Sequence, residues 1–237
     1  MDDYAQTIAP RSRLFQLMAL GFGHPLEEFH RVLVKGGYDH ALLDAAAGAG
    51  VHWSTPADPG ADFTDFEADY IRLFRVGRRG RPVVPLNAGD HEALAQGQGR
   101  PEFLLQYSDW YRHFGLKIDE DGETNELPDH LVCQLEFMAW LAHLEAGSGE
   151  KPSLQTGYRR AQRDFLLRHL LPFLETLVAA LKGSKEEGEG ATHYLSLTAA
   201  ILEVAERLLR ILDDELADSG RETDTAAERI DAVNLWG

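Results

Sequence analysis

The residues best suited to chemistry lie in one short segment, where Glu126, Asp129 and His130 precede a long apolar stretch. Two carboxylates and an imidazole so close together can hold a metal ion, exchange protons or accept hydrogen bonds from a basic ligand. Residues 126–130 read Glu-Leu-Pro-Asp-His, and an almost wholly apolar run follows through Leu141. A helix that is apolar on nearly every side must be buried. We therefore expect this polar segment where the core opens to solvent.

A metal site is the first possibility, because Glu126 and His130 are four residues apart and could share one helical face. However, Pro128 lies between them and no second ligand pair with matching spacing follows. Catalytic zinc uses three protein ligands. We therefore expect no metal and no cofactor, and the sequence contains no Walker, dinucleotide or paired-cysteine motif. The single cysteine, Cys133, lies inside the apolar run and is expected to be a buried thiol rather than a nucleophile.

A polar stripe on the same helix has two interpretations. Asp129, Glu136 and His143 recur every seven residues, so a helix would place them within about 40° of one another. In the structural interpretation, Asp129 favours the positive helix N-terminus and Glu136 pairs with an arginine of another helix. In the functional interpretation, the carboxylates line a groove for a basic peptide, because arginine binds planar carboxylates through paired hydrogen bonds.

Composition restricts the function classes further. The chain has 237 residues and a formal net charge of −16, which repels nucleic acid and anionic membranes and either favours a basic partner or serves solubility alone. One cysteine excludes an intrachain disulfide and indicates a reducing compartment. No apolar run reaches the ~20 residues of a membrane span, and the acidic start does not fit a secretory signal. We therefore expect a cytoplasmic protein.

Helical periodicity dominates the chain and strand alternation is nearly absent. We predict an all-α fold, a single compact domain of about ten helices around a central buried helix at 128–144. The other predicted helices lie at 4–21, 26–34, 38–47, 63–74, 90–96, 101–114, 158–181 (with Pro172 inside) and 195–216. The helical domain is predicted to cover 1–217, with a flexible tail at 218–237. Loops are predicted at 76–89 and, with acidic character, at 117–125, and a flexible linker at 182–190.

Several motifs together resemble one known family. Residues 126–138, Glu-Leu-Pro-Asp-His-Leu-x-x-x-Leu-Glu-Phe-Met, are similar to the signature of the redox-enzyme maturation chaperones of the TorD/DmsD/NarJ type. Residues 70–74 and 80–85 resemble the Tyr-x-x-Leu-Phe segment and the proline-containing loop of that family, and 107–115 and 13–25 resemble its aromatic helix and its first helix. The resemblance covers roughly residues 10–180, in the right order. Gln134 departs from it, because many members carry an acid there.

This resemblance implies a helical cytoplasmic chaperone that is neither an enzyme nor a cofactor carrier. The implied partner is the apo catalytic subunit of a molybdoenzyme of the DMSO-reductase type, with its basic twin-arginine leader, held until the molybdenum cofactor is inserted and export is allowed. The wording of the signature favours nitrate reductase assembly in anaerobic respiration. The implied client-binding residues are Glu126, Leu127, Pro128, Asp129, His130 and Glu136, with an apolar wall of Tyr70, Phe74, Pro82 and Pro85. The loop at 76–89 is a candidate mobile flap.

Two other function classes stay open. An all-α metal-dependent hydrolase would need paired Glu-x-x-His motifs on facing helices, which the sequence lacks. A generic helical adaptor would bind an amphipathic peptide in an apolar groove without regard to its arginines. The sequence leaves the identity of the client, nucleotide binding and the choice between leader and mature client undecided. It allows a monomer or a dimer that exchanges an element through a linker such as 182–190.

Overall fold

The helices lie close to where the sequence predicts them. The computed structural model describes residues 2–77, 80–116, 126–184 and 186–234, with side chains described between Pro10 and Ser219. Its described residues form ten α-helices and no β-strand, which confirms the all-α class. The predicted acidic loop at 117–125 lies outside the described residues. The helices are α1 (Asp2–Leu20), α2 (Glu27–Val34), α3 (Gly37–Gly48), α4 (Phe63–Tyr70), α5 (Glu92–Ala95), α6 (Arg100–His113), α7 (Leu131–Gly147), α8 (Pro152–Phe165), α9 (Leu171–Gly183) and α10 (Glu189–Asn234).

The helix α7 is the predicted central helix. Its side chains are apolar on nearly every side, so no face of it can be left to water. Leu135, Met138 and Leu141 are fully buried. The helix packs mainly against α1 and α8, and the Ser12 hydroxyl of α1 donates a 2.9 Å hydrogen bond to the Ala139 carbonyl across the first of these contacts. A central buried helix is therefore confirmed.

The start of α7 corrects the prediction. The helix begins at Leu131, three residues later than expected, because His130 is its N-cap. The backbone of His130 is extended, with φ −68° and ψ 142°, and its side chain accepts a hydrogen bond from the Val132 N–H. Asp129 therefore precedes the helix and cannot form a helical stripe with Glu136. Glu136 is exposed on α7 and pairs with no arginine in the described part of the chain, so its pairing with another helix stays a prediction.

Two predicted helices contain π-helical turns. The helix predicted at 158–181 consists of α8 and α9, joined by the π turn Leu166–Leu170. Pro172 lies in the first turn of α9, directly after the π turn. The helix α4 continues into a second π turn, Ile71–Arg75, in which the Val76 N–H donates a 2.8 Å hydrogen bond to the Ile71 carbonyl. A π turn changes the direction in which the following side chains point, and such turns are frequent at functional sites.

The junction between α9 and α10 corrects the predicted linker at 182–190. The helix α9 continues to Gly183 and α10 begins at Glu189, so the connection is short. The carboxylate of Asp69 on α4 accepts a 3.3 Å hydrogen bond from the Ala191 N–H, and a Cβ atom at Gly190 would lie 2.8 Å from the Asp69 Cβ. The described part of the junction is thus packed against α4. The backbone is helical through Asn234, where a tail was predicted after 217, and the division into domain and tail stays a prediction.

A buried ionic cluster connects α1, α7, α8 and α10. The carboxylate of Glu145 on α7 accepts hydrogen bonds from Arg159 Nε at 2.6 Å and from Gln162 Nε2 at 2.7 Å. Arg11 lies 3.8 Å from Glu145 and donates a 3.2 Å hydrogen bond to Glu215 of α10. Burial raises the pKa of Glu145 to about 7, while Gln162 and Arg11 act in the opposite direction. We call these five residues the Glu145 cluster.

Candidate functional site

The segment at 126–130 is a loop held from two sides. Leu131 N–H donates a 2.8 Å hydrogen bond to the Leu86 carbonyl, and Ala88 N–H donates a 3.1 Å bond to the Asp129 carbonyl. These contacts form an antiparallel bridge between Asn87 and His130. On the other side the Tyr111 hydroxyl of α6 donates a 2.6 Å hydrogen bond to the Pro128 carbonyl. The motif therefore lies against residues 86–88 at the end of the proline-containing loop.

Asp129 organises this loop from the inside. Its side chain is fully buried, and its two carboxylate oxygens accept hydrogen bonds from Asn87 Nδ2 at 3.0 Å and from the Gly89 N–H at 2.7 Å. A Cβ atom at Gly89 would lie 3.0 Å from the same carboxylate, so glycine permits the close approach. Since both oxygens have donors inside the protein, Asp129 positions the loop and does not face a ligand in this conformation.

Gln134 ties the first turn of α7 to the same loop. Its side-chain amide donates a 2.9 Å hydrogen bond to the Asp129 carbonyl. The residue is fully buried, and its Oε1 atom accepts no hydrogen bond from the described residues. Gln134, which departs from the family pattern, thus supports the backbone of the motif rather than supplying a charge to a ligand.

Glu126 forms the solvent-facing part of the motif, together with Arg75 of the π turn, and the buried His130 lies behind it. Arg75 Nη2 donates a 2.8 Å hydrogen bond to Glu126 Oε1, and Glu126 Oε2 lies 3.4 Å from His130 Nε2. Burial lowers the pKa of His130, while the nearby Glu126 carboxylate acts to raise it. His130 Nδ1 accepts a hydrogen bond from the backbone, so the neutral imidazole carries its hydrogen on Nε2 and directs it towards Glu126.

Exposed apolar side chains flank this ion pair. Val76 follows Arg75 in the chain and is 61% exposed, Leu127 follows Glu126 and is 41% exposed, and Ile71 at the start of the π turn is 37% exposed. Large apolar side chains left in water next to a polar centre are typical of a surface that meets another protein. We call these five residues the motif face.

The predicted apolar wall lies elsewhere than expected. Tyr70 and Phe74 are 1% and 5% exposed and contact Tyr194 of α10, with ring centroids 5.8 and 5.0 Å apart. They belong to the core behind the motif face, so in this conformation they cannot touch a client, and their binding role stays a prediction. Pro82 and Pro85 are half-buried in the loop predicted as a flap. Besides the bonds of residues 86–89 to the motif, two further hydrogen bonds anchor the described part of that loop. They run from the Val84 N–H to the Leu73 carbonyl at 2.8 Å and between His91 Nε2 and the Pro85 carbonyl, also at 2.8 Å.

The arrangement does not suit covalent or metal chemistry. Burial raises the pKa of the Cys133 thiol to about 12, so the thiolate needed for nucleophilic attack is scarce at neutral pH. In the described part of the chain, no three side chains of His, Cys, Asp or Glu gather closely enough to hold a metal ion. Among the described helices, none combines the length and apolarity that crossing a membrane requires.

A second surface feature escaped the sequence analysis. A groove of 710 Å³ lies between α6 and α8 and is lined by Trp110 and Phe114 on one side and by Arg160 and Arg168 on the other. A cavity of 420 Å³ adjoins it at Phe114 and reaches Tyr158. The aromatic residues of α6 were noted in the sequence, but nothing local indicates that α8 leaves space beside them.

Comparisons with protein families and with individual proteins show what the chain is similar to. A family model described as nitrate reductase delta subunit matches residues 26–179. The chain is 39% identical, over its whole length and 96% of the relative, to the dimethyl sulfide dehydrogenase assembly chaperone protein of Rhodovulum sulfidophilum. It is 34% identical, over 84% of the chain and 86% of the relative, to the perchlorate reductase assembly chaperone protein of Dechloromonas aromatica. It is 36% identical, over 49% of the chain and 58% of the relative, to the selenate reductase assembly chaperone protein of Thauera selenatis. No solved structure matches the chain at a significant level.

Proposed function

The chain belongs to the nitrate reductase delta subunit family, and we propose that it is an assembly chaperone for the catalytic subunit of a molybdenum-dependent oxidoreductase. The observation that carries the proposal is the match over the whole chain, at 39% identity, to a protein named as an assembly chaperone. Because its relatives are named as chaperones rather than as catalysts, the chain is a binding protein and not an enzyme.

The client is the apo form of the catalytic subunit. The relatives are named for dimethyl sulfide dehydrogenase and for perchlorate, selenate and chlorate reductases, so a reductase or dehydrogenase of this kind is the client class, with nitrate reductase included through the family name. The chaperone holds this subunit in the cytoplasm until the molybdenum cofactor is inserted. It thereby covers surfaces that the finished enzyme buries.

The motif face is the surface through which the client is recognised. Glu126 offers a carboxylate to a basic group, and Ile71, Val76 and Leu127 offer apolar area around it. A twin-arginine leader combines arginines with an adjacent apolar stretch and so fits both features. The formal net charge of −16 attracts such a basic segment over longer distances. Asp129 and His130 act indirectly, by fixing the loop that presents Glu126.

Co-purification tests the proposal. The chain is produced together with the precursor of a candidate catalytic subunit in cells that make the molybdenum cofactor and in cells that do not. We expect a stable complex with the apo subunit that disappears after cofactor insertion, as seen by size-exclusion chromatography and native mass spectrometry. Equal binding of the apo and the cofactor-loaded subunit would contradict a chaperone function.

Peptide binding then separates the leader from the mature client. The leader peptide alone, a leader with both arginines changed to lysine and a subunit without its leader are compared by calorimetry. We expect the leader to bind and the lysine version to bind more weakly, because lysine cannot form paired hydrogen bonds with a carboxylate. Indifference to the arginines would favour a generic adaptor for amphipathic helices.

A further inference from the structure

The contact between Arg75 and Glu126 joins two distant parts of the chain at one point. The residues are 51 positions apart, and a single hydrogen bond of 2.8 Å connects Arg75 Nη2 to Glu126 Oε1. Glu126 Oε2 does not take part in this bond and lies nearer to His130. The guanidinium therefore does not use the paired geometry in which arginine binds a carboxylate most strongly.

Solvent reaches both partners. The side chains of Arg75 and Glu126 are 44% and 23% exposed. An exposed ion pair of this kind contributes only about 0.2–1 kcal/mol, because water and salt screen it and both side chains lose freedom. The neighbouring Arg72 behaves differently, since it bonds Asp69 and lies 2.9 Å from Glu186 beside the start of α10. Arg72 thus stabilises the fold. Arg75 also interacts with the Tyr70 side chain, so only its exposed bond to Glu126 has to be broken when a ligand takes the carboxylate.

The side chains around the Arg75–Glu126 pair suit the binding of a peptide that contains both an arginine and apolar residues. Ile71, Val76 and Leu127 leave apolar area around a carboxylate that already holds a guanidinium. An external peptide with an arginine beside apolar residues would offer the same guanidinium and would cover the apolar area as well. Arg75 offers only the guanidinium and does not cover the apolar area.

We propose that Arg75 is an internal occupant of the Glu126 carboxylate, which an arginine of the client must displace in order to bind. This inference rests on the proposed function, because it assumes that the motif face receives a basic peptide. A ligand must then bind Glu126 and its surroundings strongly enough to displace Arg75. Weak ligands fail to displace it, whereas a peptide that also buries Ile71, Val76 and Leu127 succeeds.

The size of the effect follows from competition. If the internal pair is favoured by about 0.2–1 kcal/mol, Glu126 is free in only about one sixth to two fifths of the molecules. The apparent dissociation constant is raised by the inverse of that fraction. Arg75→Ala should therefore bind a leader peptide about two- to sixfold more tightly than the wild-type chain. The factor should be the same for the arginine and the lysine leader, because the same occupant is removed in both cases.

The test is calorimetry of the full chain with the twin-arginine leader peptide and with its lysine version. Arg75→Ala and Arg75→Gln should both tighten binding, and Arg75→Ala should lose this gain when combined with Glu126→Gln. The matched control is Arg112→Ala, which breaks an exposed pair with Asp109 on α6, away from the motif face, and should leave the affinity unchanged. The glutamine variant keeps the Cβ, Cγ and Cδ atoms of arginine, so it controls for the side-chain packing that the alanine variant loses at the π turn.

The outcomes distinguish a failure of this inference from a failure of the proposed leader recognition. If the wild-type chain binds the leader and Arg75→Ala binds it equally or more weakly, Arg75 is not a displaced occupant and the inference is overturned while the proposed function stands. If neither the wild type nor any variant binds either peptide, leader recognition by the motif face fails, and the inference fails with it.

Discussion

The carboxylate of Asp129 accepts a 2.7 Å hydrogen bond from the Gly89 N–H, which places the most buried acid of the motif against the backbone of another loop. The contact spans 40 residues of sequence, and the Asp129 side chain is fully buried. It makes the motif at 126–130 and the loop before α5 one unit. The exposed Glu126 then depends on this unit for its position.

Asp129→Asn should destabilise the fold. The new amide replaces one acceptor oxygen with a donor, and both of its neighbours, Asn87 Nδ2 and the Gly89 N–H, are donors themselves. Leaving a buried donor unsatisfied costs about 1–3 kcal/mol. Urea unfolding measures the loss of stability. The control is Asp109→Asn at an exposed position of α6, which should change the stability little. If Asp129→Asn keeps wild-type stability but loses client binding, Asp129 contacts the client directly and its assignment as a structural residue is wrong.

Gly89→Ala tests the same contact from the other side. Its Cβ atom would lie 3.0 Å from the Asp129 carboxylate and 3.0 Å from a ring atom of Phe103, so one of them must move. We expect a loss of about 1–3 kcal/mol, the usual cost of overfilling a packed site. Gly147→Ala at the end of α7 is the control, because no atom lies within 4 Å of its added Cβ. Equal melting temperatures for the two variants would mean that the loop adapts freely.

The Glu145 cluster predicts a pH dependence of stability. Burial raises the pKa of Glu145 from 4.5 to about 7 in the folded protein. Folding therefore favours the protonated acid, and this stabilisation is complete below pH 4.5 and is lost as the pH rises to about 7. It amounts to roughly 3 kcal/mol, since a difference of one in pKa corresponds to about 1.4 kcal/mol.

Glu145→Gln isolates that contribution. Glutamine has the shape of the protonated acid, so the variant should lose less stability than the wild type between pH 4.5 and 7.5. The difference between the two proteins is the relevant quantity, because burial lowers the pKa of His130 and of His169 and these groups give the opposite trend. Parallel stability profiles, measured by chemical unfolding across this pH range, would show that Glu145 is charged throughout.

Salt should weaken the binding of a basic leader. Exposed charges are screened beyond about 8–10 Å at physiological ionic strength, so both the long-range attraction by the acidic chain and the contact at Glu126 lose strength. Calorimetry at low and high salt measures the change, and a scrambled peptide of the same composition controls for charge alone. An affinity that does not depend on salt would assign the binding energy to Ile71, Val76 and Leu127.

The sequence predicts those features of the fold that depend on residues close together in the chain. The central helix follows from the apolar residues around Leu135, and most helix positions follow from periodicity and from Gly or Pro at their ends. The place of the motif follows from its position before α7. The cap at His130 was missed, because Pro128 and Asp129 are also good residues for a helix start.

Long-range pairings were beyond the reach of the sequence. Nothing local connects Asp129 with Asn87, or Glu126 with Arg75, and these partners decide which acid is buried and which is available. The π turn at Ile71–Arg75 keeps helical periodicity nearly intact, so it leaves no clear signal in the pattern either. It nevertheless determines where Arg75 points.

The ionic contact between Arg11 and Glu215 bears on how the chaperone itself matures during synthesis. The two residues are 204 positions apart, so at the usual 5–20 residues per second Glu215 is made roughly 10–40 s after Arg11. Glu145 and Arg159 are made before Glu215, so in the last part of that interval Glu145 is the acid of the Glu145 cluster that is available to the two arginines. The contact between α1 and α10 at this cluster therefore forms only after the chain has been synthesised through Glu215. The pairing of Arg11 with Glu215 is thus a late step in the folding of this chain during its synthesis.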